Sequence, residues 1–272
     1  MRVIQVILLC STVLLGATSS HAAEVVTHTY QIQGFNRVVL SGHHELELSL
    51  GDFSVQVQSM QDGDTLISQD DNTLFLGKSQ QGLYYDEPVK FRVSLPELER
   101  VTLRGSGRIF VRPVTTNQAL NFELQGSGSV YLHDGEFADL TFVLGGSGDV
   151  DASGIAVERL VVNIAGSGAV QIGTLRAVST LVSIGGSGDF GVIDDCVVVD
   201  NVTVNIAGSG DFNGETCAVD ATSANIIGSG DVRIGSTGRV NANIIGSGNV
   251  YYRAAGTTSA SILGSGELKK ID

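Results

Sequence analysis

Between Val101 and Leu268 apolar and polar residues alternate with a period of two, and the alternation restarts at a Gly-Ser-Gly triplet. The triplet begins at Gly105, Gly126, Gly146, Gly166, Gly186, Gly208, Gly228, Gly246 and Gly264, so the repeat is longest from Gly186 to Gly208 and shortest after Gly228. Positions two and four before each triplet are apolar throughout, from Leu103 and Val101 to Ile262 and Ala260. Positions one and three before it are mixed, as in Arg104 and Thr102, Gln125 and Glu123, or Ala207 and Asn205. After the triplet the apolar parity resumes with Ile109 and Val111, Val130 and Leu132, Val170 and Ile172, Val232 and Ile234. A period of two predicts strands with one buried face, and a 3.6-residue helical period fits none of it.

One such strand cannot bury its face alone. Stacking successive repeats does so, with like positions forming columns about 4.8 Å apart. Connections between parallel strands are right-handed as a rule. The pattern therefore predicts an all-β chain, a right-handed parallel β-helix over about residues 101–268 with about 20 residues per coil. Nine coils would stand roughly 40 Å tall. The glycines mark bends or close backbone approaches.

Residues 23–100 lack the triplet but remain β-rich. Leu46, Leu48 and Leu50 alternate with polar residues, as do Phe53, Val55 and Val57. Thr73–Leu76 and Val89–Leu95 read as further strands, Asp62-Gly63-Asp64 as a turn, and Tyr84-Tyr85-Asp86-Glu87-Pro88 as an exposed loop. This part is expected to form irregular early coils or a β cap, because a solenoid's terminal repeats must cover an open end. Met1–Ala22 reads as a secretory signal: Arg2, an apolar run from Val3 to Gly16, then Ser20-His21-Ala22 ahead of cleavage after Ala22. That run is too short for a membrane span.

Composition changes the picture mainly by exclusion. The formal charge is −13, or −14 once residues 1–22 and their Arg2 are removed. An acidic surface argues against nucleic acid and anionic membranes. Cysteine is too scarce for a disulfide framework, and only Cys196 and Cys217 follow the signal. They lie eight residues past Gly188 and seven past Gly210, at nearly the same place on successive coils. Stacking would bring their Cα atoms within disulfide range, and export would let the bond persist. The alternative is two buried thiols acting as small hydrophobes.

Phe35-Asn36-Arg37-Val38, Ser41-Gly42, Leu46-Glu47-Leu48 and Gly51-Asp52 are followed by Val93-Ser94-Leu95-Pro96-Glu97-Leu98 and then by Leu103-Arg104-Gly105-Ser106-Gly107. In that order they resemble the bacterial family of auto-transporter adhesin head domains, the GIN domain, over roughly Phe35 to Leu268. The resemblance implies an exported β-helical domain with an adhesive role and no catalytic residues to carry over.

Candidate chemistry lies in the outward columns. The residue after each triplet gives Arg108, Ser129, Asp149, Ala169, Asp189, Asp211, Asp231, Asn249 and Glu267. Asp189, Asp211 and Asp231 fall on consecutive coils, where carboxylates at about 4.8 Å would attract a cation. The competing reading is preferred: Asp suits the exit from a glycine turn, and calcium needs more convergent oxygens than this spacing offers. Three residues before the triplets, Asn163, Ser183, Asn205, Asn225, Asn243 and Ser261 predict a structural amide ladder, without the flat threonine array of an ice-binding face. Three residues after them, Phe110, Tyr131 and Tyr251 are outward aromatics suited to a sugar ring or a protein, or else simply cross-strand pairs. His43-His44, His133-Asp134 and the lone His28 lack metal-ligand spacing, and no triad is supported. No metal or cofactor is expected. A polysaccharide-active enzyme would need the Asp column, with no basic cluster foreseen beside it. The favoured function is a non-enzymatic exported scaffold, adhesin-like or associated with the cell envelope. It would be periplasmic, surface-located or secreted, and would bind a glycan or a protein. Homo-oligomers, including end-to-end assemblies of open solenoids, are the third possibility.

Overall fold

The computed structural model describes residues 26–59, 66–77 and 88–271. The proposed signal, the Asp62-Gly63-Asp64 turn and residues 84–87 of the proposed loop lie outside them. The described chain is all β, without helix, and winds as a parallel solenoid of about 8 turns of about 20 residues.

The amino-terminal part holds β1 (Val26–Tyr30), β2 (Arg37–Gly42), β3 (Glu45–Leu50), β4 (Ser54–Ser59), β5 (Ile67–Asp70), β6 (Thr73–Leu76) and β7 (Lys90–Leu95). The regular part begins with β8 (Arg100–Gly105), β9 (Arg108–Val111), β10 (Val114–Gly126), β11 (Ser129–Leu132) and β12 (Gly135–Leu144). It continues as long strands that bend around the coil: β13 (Asp149–Ile164), β14 (Ala169–Ile184), β15 (Asp189–Gly208), β16 (Phe212–Gly228), β17 (Val232–Gly246) and β18 (Val250–Gly264), ending in β19 (Leu268–Lys270).

Each triplet stacks on the one before: Gly126 pairs with Gly105, and Gly246 with Gly228 and Gly264. The carbonyl of Gly105 accepts hydrogen bonds from both Ser127 N–H (3.0 Å) and Gly128 N–H (2.9 Å). Forking two donors onto one oxygen draws the coils together at the corner, where a Cβ on the first glycine would run into that carbonyl. The inward columns fill the core without a break. Leu40, Leu103, Leu124, Leu144, Ile164 and Ile184 are all buried, as are Leu46, Ile109, Val130, Val150 and Val170. Rings are matched row to row, Phe122 on Phe142 at 5.4 Å and Phe190 on Phe212 at 5.2 Å between centroids.

The amino-terminal part is both coil and cap, and its rows are out of chain order. β2 and β3 lie parallel to β8 and β9, with Gly42 paired to Gly105. They form a genuine first coil in which Gly42-His43-His44 stands in for Gly-Ser-Gly. β6 and β7, later in sequence, stack on the other side of that coil. β4, β1 and β5 then close the end as antiparallel strands. His44 occupies the third-glycine position and is buried, with Nδ1 accepting Val89 N–H at 3.1 Å. Burial, and then the neighbouring His43, hold its pKa below 6.5, against an opposing hydrogen bond with the Gly77 backbone.

Cys196 and Cys217 are paired in register and joined by a disulfide, with Cα atoms 4.2 Å apart. The pair sits between bulges. The longest coil, from Gly186 to Gly208, carries its surplus as two register shifts, one between Val192 and Asp195 and one between Val198 and Asn201.

Candidate functional site

The two outward columns after the triplets run the length of the solenoid. Nearest the cap they are a ladder of ions: Lys90 contacts Glu45 (3.0 Å) and Glu47 (2.6 Å), Arg92 contacts Glu47 (2.8 Å), and Arg108 contacts Glu45 (3.5 Å). Hydrogen bonds from Lys90 and Arg92 hold the Glu47 carboxyl below its ordinary pKa. Next in the same column come Phe110 and Tyr131, half-buried, stacked at 4.9 Å with planes 11° apart.

The aspartates follow, and their carboxylates have a structural task. Asp189 Oδ1 accepts the N–H of Asp211 at 2.8 Å, Asp211 Oδ1 that of Asp231 at 2.7 Å, and Asp231 Oδ1 that of Asn249 at 2.9 Å. Each carboxylate thus caps the amide leaving the next triplet, a charge-assisted bond. Among the described residues no group of three or more His, Cys, Asp and Glu could hold a metal ion. Asn205, Asn225 and Asn243 form the amide ladder, each bond 2.9 Å.

A depression on these columns arises where the coil length changes. Its floor is the outward register Gln171, Gly191, Asn213 and Arg233. Gly191 is buried, and the Gln171 side-chain amide lies over it, where a Cβ would overlap Gln171 Oε1. The bulged residues of two coils form the walls. Ile193, 61 % exposed, lies in the first shift of the longest coil, while Glu215 and Thr216 lie in a register shift between Gly214 and Ala218. Asp189 and Asp211 border it, and Arg233 and Arg253 close it, giving a groove of about 500 Å³.

Its charges are held in place. Arg253 Nη2 meets Glu215 Oε1 at 2.5 Å, Arg233 meets Asp231 at 3.3 Å, and the Arg233 guanidinium lies 5.0 Å over the Tyr251 ring. These two arginines stand beside the Asp column, where no basic cluster was expected. Arg253 comes from two coils beyond Glu215, a neighbour that column counting does not reveal. Asp189, Asp211, Asp231 and Tyr251 are thus brought to one region, whereas Phe110 and Tyr131 lie several rows away. Sequence reasoning missed Ile193, Glu215, Thr216 and Arg253. For Ile193, Glu215 and Thr216 the signal was the uneven triplet spacing, which leaves surplus residues on those coils relative to a neighbour.

A search of the curated proteins finds no match. Three solved structures share the fold along nearly the whole chain. A "putative adhesin" from Parabacteroides distasonis is 18 % identical, covering 92 % of this chain and 98 % of its own, with a TM-score of 0.65. A "putative lipid binding protein" from the same organism is 22 % identical over 91 % of this chain and 97 % of its own, TM-score 0.61. A "putative adhesin" from Parabacteroides merdae is 15 % identical over 92 % and 97 %, TM-score 0.58. Residues 34–195 and 198–256 match the model of the family described as "Putative auto-transporter adhesin, head GIN domain". With the match running from the first coil to beyond the penultimate triplet, broken only at residues 196–197, the chain belongs to that family.

Proposed function

We propose that the protein is a non-enzymatic, exported scaffold that binds a glycan of the cell surface or envelope in the groove between Ile193 and Arg253. The carrying observation is the lining itself: two amides (Gln171 and Asn213), two guanidinium groups and several carboxylates beside the exposed aliphatic side chain of Ile193. Planar polar groups satisfy sugar hydroxyls, and a small apolar surface receives the C–H face of a ring. The adhesin description of the family and the apolar stretch from Val3 to Gly16 support a surface or envelope role. The aspartates contribute as fixed acceptors, since their Oδ1 atoms are already committed to the backbone.

A glycan array tests this. Binding without turnover is expected, and Asn213→Ala and Ile193→Ser should each weaken it about tenfold, near 1.4 kcal/mol. Ile193 is exposed, whereas Asn213 Oδ1 also accepts Glu215 N–H at 3.2 Å, so unchanged melting is checked in both variants. Binding equal to wild type in both variants refutes the groove. Sugar release that disappears in Asp211→Ala would make the protein a polysaccharide-active enzyme instead. A silent array would point to a protein ligand.

A further inference from the structure

The two ends of the solenoid are finished differently. At the amino-terminal end the core is closed. Ile32, Phe35 and Leu66 are buried, and Phe35 packs on Phe53 at 5.1 Å. The outermost strands there, β1 and β5, are short and antiparallel to their neighbours. At the carboxy-terminal end β19 pairs only with Val250–Tyr252, and among the described residues nothing pairs with the outer edge from Ala254 to Leu263. Ile262 stands in the column that Ile226 and Ile244 occupy at 1 % exposure, yet it is 41 % exposed. Leu263, 72 % exposed, prolongs an outward apolar ladder with Ile227 (61 %) and Ile245 (52 %).

An open row presents unpaired amides and carbonyls above an uncovered slice of core, and soluble proteins blunt such edges with charge or proline. From Ala254 to Gly266 there is neither. We propose that this coil is the interface of a closed homodimer, two copies joined tail to tail about a two-fold axis. A second copy fits for three reasons. Rotation by a half-turn about the sheet normal near Ala260 lays the two β18 strands antiparallel. It also keeps every inward side chain inward, so Ile262 of each copy joins one continued core. Second, the chain as a whole is strongly acidic, which opposes self-association elsewhere, but from Ala254 to Gly266 there is no charged residue, so no like charges of this stretch would face each other across a shared edge. Third, with one end closed, a shared open end is self-complementary and assembly stops at two; a head-to-tail filament would need both ends open. The described strands that flank residues 60–65 and 78–87 lie at the opposite end of the stack.

Sedimentation equilibrium of the purified protein, from low micromolar to hundreds of micromolar, tests the proposal together with amide exchange. A monomer–dimer equilibrium with no larger species is expected, with protection of amides 254–263 that rises with concentration. Ile262→Lys, checked for unchanged circular dichroism and melting, should raise the dissociation constant about 30-fold or more. A monomer at every concentration overturns the proposal, whether its edge amides are free or protected by some other cover. So does growth past the dimer, or a dimer indifferent to Ile262→Lys.

Discussion

Gly145 and Gly146 are neighbours of the same residue type, yet alanine should have opposite effects at the two positions. A Cβ on Gly145 would meet only the Leu124 carbonyl oxygen, at 3.8 Å, an ordinary contact. Its column holds Ala165, Ala207 and Ile227 in other coils. Gly145→Ala should therefore stabilise by about 0.4–1 kcal/mol, through the reduced freedom of the unfolded chain. A Cβ on Gly146 would overlap the Gly126 carbonyl oxygen and lie 3.1 Å from its nitrogen and 3.2 Å from its carbon. Those atoms are backbone and cannot swing aside. Ser147 N–H bonds Gly126 O at 2.9 Å below, and Ser167 N–H bonds Gly146 O at 2.9 Å above, so lifting the coil strains both. Two weakened bonds at about 1 kcal/mol each and an overpacking cost of about 1–3 kcal/mol give a loss of roughly 3–5 kcal/mol for Gly146→Ala. Urea unfolding of both variants beside the wild type measures the difference. The reasoning fails if Gly146→Ala keeps its midpoint, or if Gly145→Ala loses as much. Gly185 and Gly186 repeat the pair: Gly185 faces only Ile164 O at 3.8 Å, and Gly186 faces the Gly166 backbone.

Replacing both Cys196 and Cys217 by alanine removes a cross-link between residues 21 apart and should cost about 3 kcal/mol, read as a lower melting temperature that reductant no longer affects; wild type that melts identically with and without reductant would contradict the bond. Because the folded pKa of His44 is depressed by burial, its contribution to stability is full above the unfolded value of 6.5 and is lost as pH falls through the folded value. Urea midpoints between pH 8 and pH 5 should fall on acidification, and less so in His44→Gln; parallel profiles would remove His44 as the cause. Asp211→Ala strips the acceptor from Asp231 N–H and should cost about 1 kcal/mol, whereas Asp211→Asn keeps an oxygen there and should cost little. Equal melting of the two variants would mean that the charge, not the cap, matters.

The coils were legible in the sequence because what defines them is local. Side-chain parity along a strand is fixed by the pleat, and a triplet recurring once per coil sets which position stacks on which. Cys196 above Cys217, the Asn205–Asn225–Asn243 ladder and the Asp column all follow from that register. Other features depend on the order and ends of the stack, which no local period encodes. With Gly42-His43-His44 replacing the triplet, nothing in the sequence revealed that β2 and β3 sit between β6–β7 and β8–β9. The uneven triplet spacing was visible, but the direction in which the surplus bulges was not, so Ile193 and Glu215 became groove walls only in three dimensions. Ile262 has the same alternating neighbours as Ile244, and its exposure comes from lying on the last described row. Burial in a solenoid is conferred by the next coil, and the tertiary structure alone decides which residues have one.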